Sequence, residues 1–278
     1  MGQNLTKAST AAEAARTALM DWWADAGVAV PPPPPAPRPG VAGAPSLRPR
    51  GVQREAAPEP AAPPPAAEAP AVKAQSEARA AAAAADSLQA LKSAVEAFEG
   101  CALKATAKNT VFSRGALTSG VMVVGEAPGF EEDARGEPFV GRSGLLLDRM
   151  FAAIGLDREA IYVSNILFWR PPGNRNPSED DIRACLPFVE RHIALAQPKV
   201  LVFAGKLAAQ TMLGTSEGIM RMRGRWSEYR IRDASGAPTE TALPALPVLH
   251  PAFLLRQPAW KAQTWRDMLS LQAKLESL

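Results

Sequence analysis

The chain has 278 residues, enough for one or two domains, with a formal net charge of +3 and two cysteines. Two thiols exclude a disulfide-stapled secreted scaffold and favour a reduced, cytoplasmic protein. No apolar run approaches the roughly 18 residues that span a bilayer, and the N-terminus lacks the apolar segment of a signal peptide. We therefore expect no membrane partner. The mildly basic charge permits a nucleic-acid partner without requiring one.

The N-terminal region divides into a short helix and a linker. Residues 10–26 combine good helix formers with an apolar stripe that contains Leu19 and Trp22 or Trp23. This helix either packs weakly on the body of the protein or offers its Trp pair as the anchor for a protein partner. Residues 30–71 are rich in proline and alanine, which predicts a disordered linker. We assign residues 1–29 to the helix, 30–71 to the linker and 72–278 to one folded domain.

The folded domain is predicted to alternate strands and helices. It begins with a leading helix over 72–98, and we place the start of the core near Ser87. Strand-like runs cover 121–124, 161–164, 200–204 and 246–249, and helix-like runs cover 143–154, 178–196, 206–213 and 260–275. Continuous apolar strands between helices favour the α/β class, with a central four-stranded parallel sheet and helices on both faces.

Polar residues follow three of the four predicted strands. Glu126 follows the first strand, Asn165 ends the second, and His250 follows the fourth. The carboxyl ends of parallel strands meet at one edge, so a carboxylate, a carboxamide and an imidazole are expected to converge there. Each residue type also has an ordinary structural use, as a helix N-terminal charge, a turn residue or a packed ring. Their joint position is what favours a functional site.

Four long blocks carry a family likeness: GEAPGFEEDARGEPFVGRSGLLLDRM, IYVSNILFWRPPGNRNP, CLPFVERHIALAQPKVLVFAG and HPAFLLR. In this order and spacing they resemble the uracil-DNA glycosylase superfamily, most closely its iron–sulfur family 4. The likeness covers residues 98–275 and leaves the N-terminal region uncovered. It implies a monomeric, nucleoid-associated repair enzyme that flips uracil out of DNA and hydrolyses its N-glycosidic bond.

The resemblance also implies individual roles in the base pocket. Glu126 would position water and balance the sugar cation, and His250 would hydrogen-bond uracil O2. Phe139 would stack on the flipped base, and Asn165 would read its N3 and O4, with Ala127 beside them in the pocket. Glu132 would close the space beside C5, where thymine carries a methyl group.

Two further segments are assigned to DNA contact. In the HPAFLLR loop, Leu254 or Leu255 would fill the vacated base stack and Arg256 would meet phosphate. The rigid loop after the second strand would contribute Arg170 and Arg175. A third basic run is either a set of phosphate contacts or a solvated turn, and it consists of Arg221, Arg223 and Arg225.

The cysteine count departs from the family pattern. The resemblance implies a [4Fe–4S] cluster, which is normally held by four thiolates. Cys101 and Cys185 fit two ligand positions, whereas Phe98 and Trp169 occupy the other two. We therefore expect no cofactor. Phe98 and Trp169 are expected to pack together as a hydrophobic plug, with the two cysteines close to each other as reduced thiols.

Three functions compete at this point. The first is a monofunctional uracil-DNA glycosylase. The second is a protein that binds uracil or abasic sites in DNA with little turnover, which the lost cluster ligands and the N-terminal region motivate. The third is a hydrolase of small nucleotides on the same sheet, for which the HPAFLLR loop has no obvious use.

Overall fold

A computed structural model describes residues 70–278, and a five-stranded sheet forms its centre. The strand order is β2-β1-β3-β5-β4. Strands β1, β2, β3 and β5 run parallel, and β4 pairs with β5 in the antiparallel direction. The strands are β1 (Val121–Gly125), β2 (Tyr162–Asn165), β3 (Val200–Ala204), β4 (Ser227–Arg232) and β5 (Pro238–Val248).

The α/β class and the four parallel strands are confirmed, but the sheet has a fifth strand that the sequence pattern did not indicate. Strand β4 has the sequence SEYRIR, and only Tyr229 in it is buried. It lies at the sheet edge, where one face and one edge meet solvent, so it lacks a continuous apolar run. Strand β5 is also longer than predicted, because its first half extends to pair with β4.

Helices cover both faces of this sheet. Those predicted over 143–154, 178–196, 206–213 and 260–275 are present within two residues of their expected bounds. In the described part of the chain, no helix has the length and apolar character of a membrane span. The helices are α1 (Pro70–Ala84), α2 (Leu88–Ala97), α3 (Phe130–Arg135), α4 (Arg142–Ala152), α5 (Glu179–Ala196), α6 (Lys206–Leu213), α7 (Ile219–Met222), α8 (Pro251–Arg256) and α9 (Lys261–Glu276).

The prediction of one continuous helix over 72–98 is wrong, because the segment breaks between α1 and α2. Ser87 has an extended backbone, and its hydroxyl accepts a hydrogen bond from the Ala90 amide at 3.2 Å. An N-cap serine of this kind starts a new helix instead of continuing the old one. The Arg191 guanidinium donates to the Ala85 carbonyl and so completes the C-terminal end of α1.

Helix α1 is packed on the domain, so the folded part begins before Ser87. Ala78 and Ala82 are buried in the same core cluster as α5. Arg79 also forms an ion pair with Glu190 on α5 at 2.5 Å. The proposed helix at 1–29 and the linker at 30–71 lie outside the described residues, except for the first two residues of α1.

Each face of the sheet carries its own core cluster. Alternate residues of β1 point in opposite directions, so Met122 and Val124 join one cluster while Val121 and Val123 join the other. The first cluster is covered by α1, α2 and α5, and the second by α4, α8 and α9. The sheet is therefore enclosed on both sides, and ligand access is left to the strand ends.

His192 is buried beside Tyr162 under the first face of the sheet. It has no exposed surface, stacks on Phe112 at 4.3 Å between ring centroids, and makes a 2.8 Å hydrogen bond with the Tyr162 hydroxyl. Burial lowers the pKa of His192 to about 3. The unfolded chain therefore takes up a proton here near pH 6.5, whereas the folded protein does not until far lower pH.

Replacing His192 with phenylalanine is therefore expected to flatten the dependence of stability on pH. A depressed histidine pKa contributes stability above about pH 6.5 that is lost as the pH falls toward the folded value. Between about pH 7.5 and pH 5 this one group removes about 2 kcal/mol, at 1.36 kcal/mol for each pKa unit. Urea unfolding of both proteins at the two pH values measures the difference. Equal losses in wild type and His192→Phe would contradict the assignment.

Candidate active site

The register of the parallel strands brings the predicted polar residues to one edge. Gly125 pairs with Asn165, and Ala204 pairs with Val248, so the four parallel strands end together. A cavity of about 380 Å³ opens at this edge. Among the residues that line it are Glu126, Ala127, Glu132, Phe139, Asn165, Arg175, His250 and Arg256. The structure thus joins eight of the predicted site residues around one space.

Phe139 forms one wall of the cavity in a strained backbone conformation. Its φ is 53°, the left-handed region that non-glycine residues seldom adopt. Its ring stacks on the His250 ring with centroids 5.6 Å apart and planes inclined by 28°. Gly144 on α4 allows the Phe139 carbonyl to approach closely, because a side chain there would overlap that oxygen. Such outliers are maintained where the surrounding structure fixes a functional side chain.

Asn165 faces the cavity with an unused acceptor. The residue is 2% exposed, and its amide oxygen is buried without a hydrogen-bond partner within the described part of the chain. It lies directly beside Gly125, where any side chain would clash with both the Asn165 oxygen and the Phe139 ring. An unpaired buried amide oxygen costs free energy unless a ligand supplies the missing donor. The cavity is therefore matched to a ligand that carries an N–H group next to a flat ring.

His250 is held in one tautomer by its place in α8. It is the N-cap residue of that helix, and its Nδ1 accepts a hydrogen bond from the Ala252 amide at 3.1 Å. Desolvation of the ring lowers the pKa of His250 to about 4, with the Arg256 charge acting in the same direction. The ring is consequently neutral at physiological pH, and its single proton is on Nε2. His250 can donate one hydrogen bond while remaining uncharged.

Glu126 is the first residue after β1, and it lines the same cavity. Burial raises the pKa of this carboxyl above its ordinary value. A carboxylate with a raised pKa is a better proton acceptor at neutral pH than an exposed one. The position and the basicity of Glu126 both fit a group that orients a water molecule.

Glu132 lines the cavity, but its carboxylate is occupied by the backbone. One oxygen accepts from the Val140 and Gly141 amides at 3.0 and 2.9 Å, and the other from the Gly129 amide at 3.1 Å. These three bonds join the loop after β1 to the segment that carries Phe139. Glu132 is therefore a positioning residue, and its predicted place beside C5 of the base remains a prediction.

Of the two leucines offered as alternatives for insertion into the base stack, Leu254 is not available. It has no exposed surface, because it packs in the second core cluster. Leu255, 37% exposed, is instead the residue available for insertion. Arg170 lies over the Phe130 ring, and Arg175 is bonded to Asp181.

The basic run at 221–225 does not approach the cavity. Arg223 makes a two-point ion pair with the buried Asp267 and donates to the Gln263 carbonyl, so it ties α7 to α9. Arg225 pairs with Glu217 at 3.2 Å. Arg223 therefore has a structural role, and neither of the two alternatives left open for it, a phosphate contact or a solvated turn, is correct. Its spacing in the sequence could not distinguish an internal ion pair from a surface charge.

The two cysteines are close together in the first core. Both are buried and unoxidised, and their side chains share a hydrogen bond that lowers the pKa of Cys101 and raises that of Cys185. Phe98 makes its ring contact with Phe188 at 5.1 Å, and Trp169 donates from its indole nitrogen to Thr110. Phe98 and Trp169 were expected to pack together, and they lie in the same core cluster, joined through the rings of Phe188 and Phe168.

These residues do not fit a [4Fe–4S] cluster. The donors present are two thiols, and the buried residues Phe98 and Trp169 stand at the two sequence positions where the resemblance implies the other thiolates. Among residues 70–278, no group of three or more His, Cys, Asp or Glu side chains is arranged to hold a metal ion.

Several residues of the site were not predicted from the sequence. Ser143 and Asn174 line the cavity, and Phe130, 61% exposed, lines a neighbouring groove that shares Glu132 and Arg256 with it. Ser143 and Asn174 gave no sequence signal, since both are common loop and helix-start residues. Phe130 did give a signal, because it is a large aromatic residue in a polar, acidic stretch at the start of α3, where an exposed ring adds nothing to the stability of the fold.

The fold is an α/β sheet covered by helices on both faces, with a cavity at the carboxyl ends of its parallel strands. An aromatic ring, a carboxamide, a carboxylate and a neutral imidazole line this cavity. These groups define an α/β protein whose site fits a planar heterocycle. The family model of the uracil DNA glycosylase superfamily matches residues 112–269. The chain belongs to that superfamily.

Similarity to characterised relatives places it near the type-4 branch. It is 32% identical over 186 residues to the type-4 uracil-DNA glycosylase of Pyrobaculum aerophilum, a match that covers 65% of this chain and 91% of the relative. It is 35% identical over 178 residues to the type-4 enzyme of Sulfurisphaera tokodaii, covering 62% of this chain and 78% of the relative. The type-4 enzyme of Archaeoglobus fulgidus is 34% identical over 171 residues, covering 60% and 82%.

Proposed function

We propose that the protein excises uracil from DNA as a monofunctional glycosylase and leaves an abasic site. The observation that carries the proposal is the unpaired, buried amide oxygen of Asn165 next to the Phe139 ring. Uracil presents an N3–H donor beside an O4 acceptor, which an amide can satisfy with two hydrogen bonds. Its flat ring stacks on an aromatic side chain.

The cavity suits a base that has left the helix. Extruding a nucleotide costs a few kcal/mol in lost pairing and stacking. Stacking of the extruded base on Phe139 offsets about 1–3 kcal/mol of this cost. Cytosine offers a donor where uracil has an acceptor and an acceptor where uracil has a donor. It would leave the Asn165 amide unpaired, so it is rejected by the same geometry that accepts uracil.

Cleavage of the glycosidic bond produces an anion on the base and a cation on the sugar. The cavity holds a residue that stabilises each, His250 for the anion and Glu126 for the cation. The bond between the base nitrogen and C1′ breaks, and its electron pair leaves with the base as a uracil anion. His250 stabilises that anion by donating from Nε2–H to O2. The sugar is left as an oxocarbenium ion, to which a water molecule adds through its oxygen.

Glu126 serves the sugar side of the reaction. Its carboxylate stabilises the cation, orients the water and accepts the proton that the water releases on attack. The departing uracil anion is protonated by solvent after it leaves. No covalent bond between protein and DNA forms in this sequence, so the product is an intact strand with an abasic sugar.

A direct assay tests the proposal. Incubation with an oligonucleotide that contains one uracil is expected to release free uracil through many turnovers, and a thymine-containing oligonucleotide is expected to be inert. Free uracil is quantified by chromatography, and the abasic strand by alkaline cleavage. Tight binding to abasic DNA without repeated turnover would instead favour a DNA-binding protein, and release from free deoxyuridine would favour a nucleotide hydrolase.

We also propose that the protein folds and acts without an iron–sulfur cluster. The aromatic packing around Cys101 and Cys185 supports this, because it occupies the positions of two ligands. Purified protein is expected to be colourless, without stoichiometric iron. Cys101→Ala is expected to retain uracil release and to lose about 1 kcal/mol of stability, as for an ordinary core substitution. Broad visible absorbance with stoichiometric iron that the variant loses would refute the proposal.

A further inference from the structure

A second groove adjoins the base cavity. It encloses about 420 Å³, and it shares Glu132, Ser143, Ala252 and Arg256 with the first cavity. Phe130 and Leu255 are the large apolar side chains on its walls, and both are exposed, at 61% and 37%. The groove is therefore continuous with the proposed uracil site, and it presents apolar surface that packing within this chain does not use.

Phe130 is contacted by a cation and is otherwise largely exposed. The guanidinium carbon of Arg170 lies 5.2 Å from the Phe130 ring centroid, and Arg170 is itself fixed by a 2.8 Å hydrogen bond to Asn174. Arg170 does not line the groove, whereas Phe130 does. Because Phe130 stays 61% exposed beside this cation and lines the groove, it has ring surface on which a ligand can stack.

The charges around the groove indicate how a nucleotide would lie in it. Glu131 and Glu132 are both on its lining, and the Glu131 carboxyl approaches Gly141. These acids disfavour a phosphate within the groove itself. Arg142 and Arg256 are exposed members of the same lining and offer phosphate contacts at the surface. The arrangement fits a neutral, flat base inside with its phosphates outside.

We infer that the groove between Phe130 and Leu255 binds the base next to the target uracil in the same strand, stacked on Phe130. This inference rests on the proposed glycosylase function and adds a second base site to it. A base that is still paired with a complementary strand remains stacked in its helix and cannot enter. The groove therefore favours uracil whose neighbour is unpaired, as in single-stranded DNA.

The test combines substitutions of Phe130 with removal of a base next to the uracil in the DNA. Single-stranded oligonucleotides carry one uracil, and the base on its 5′ or its 3′ side is replaced by a stable abasic spacer. With wild-type protein, the spacer at one of these positions is expected to lower kcat/KM about tenfold, the effect of one lost stack. Phe130→Ala is expected to show the same tenfold loss on the intact strand and no further loss with the spacer. Phe130→Tyr is expected to behave as wild type.

Leu145→Ala is the matched control, because Leu145 is 58% exposed on α4 and lines neither cavity. It is expected to match wild type on every substrate. Wild-type indifference to the spacer at both positions would overturn the inference. A further tenfold loss on adding the spacer to Phe130→Ala would also overturn it, because the two changes would then act independently. Absence of uracil release by wild type from the intact strand would instead overturn the proposed function on which the inference rests.

Discussion

His250→Ala is expected to lower the rate of uracil release under saturating substrate by about 10²–10³-fold, the usual loss when one donor to a developing anion is removed. The effect should fall on kcat more than on KM, because charge accumulates on uracil O2 only as the glycosidic bond breaks. Single-turnover measurements with excess protein isolate this step from product release.

The environment of His250 gives a second, independent expectation for the same residue. Its pKa is lowered to about 4, so the ring is already neutral across the range in which the protein would work. Wild-type activity should therefore show no acid limb from His250 between about pH 5 and pH 8. The acid limb should come from Glu126, whose carboxyl has a raised pKa and loses its function when protonated. In Glu126→Gln that limb should disappear together with most of the activity.

The stability of the variant separates catalysis from folding. His250 also caps α8 through the Ala252 amide, and loss of a cap costs about 0.5–2 kcal/mol. His250→Asn keeps a side chain that can cap the helix. Its N–H donor, however, lies on a shorter side chain and would stand farther from uracil O2. If both variants unfold similarly and both are slow, the donor explains the rate. A full rate in His250→Asn would contradict the assigned role.

Asn165→Ala is expected to lower kcat/KM for uracil roughly 10²-fold, from the loss of two hydrogen bonds at about 1.5 kcal/mol each. The residue is buried at the end of β2, and its amide oxygen is paired with no group in the described part of the chain. The variant should bind nonspecific DNA as wild type does, because phosphate contacts do not involve Asn165. Gel shift and uracil release, measured on the same preparations, test both statements.

Asn165→Asp is the matched substitution for that experiment. It has the same size and keeps an acceptor for uracil N3–H, but it has no N–H to donate to O4, and its charge faces that oxygen. We expect a loss at least as large as in Asn165→Ala. Undiminished release by either variant would show that Asn165 does not read the base.

The parallel sheet and the polar ends of its strands could be predicted from the sequence, because both follow from local patterns. Continuous apolar runs such as 121–124 and 200–204 mark buried strands, and the residue after each strand is then placed by topology. The edge strand β4 could not be found in this way, since its side chains meet solvent on most sides. The break at Ser87 was visible only as one capping residue within a segment of good helix formers.

The details of the site depended on contacts between distant segments, which residue types alone do not specify. Glu132 was predicted to close the space beside C5 of the base, which stays a prediction. The sequence did not indicate that its carboxylate joins two loops through three amides. Leu254 and Leu255 are neighbours of the same type, and only the packing of α8 decides which is buried. Arg223 lies in a basic run, yet its partner Asp267 is far along the chain.

The left-handed backbone of Phe139 has a consequence for how DNA is recognised. A conformation of that kind costs roughly 1–3 kcal/mol, which the rest of the fold supplies when the domain first forms. The stacking surface is therefore already in place before a substrate arrives, and no part of the binding free energy is consumed in ordering it. Each extruded base would meet the same rigid ring, so discrimination among bases would come from the hydrogen bonds of Asn165 and not from a rearrangement of the stacking surface.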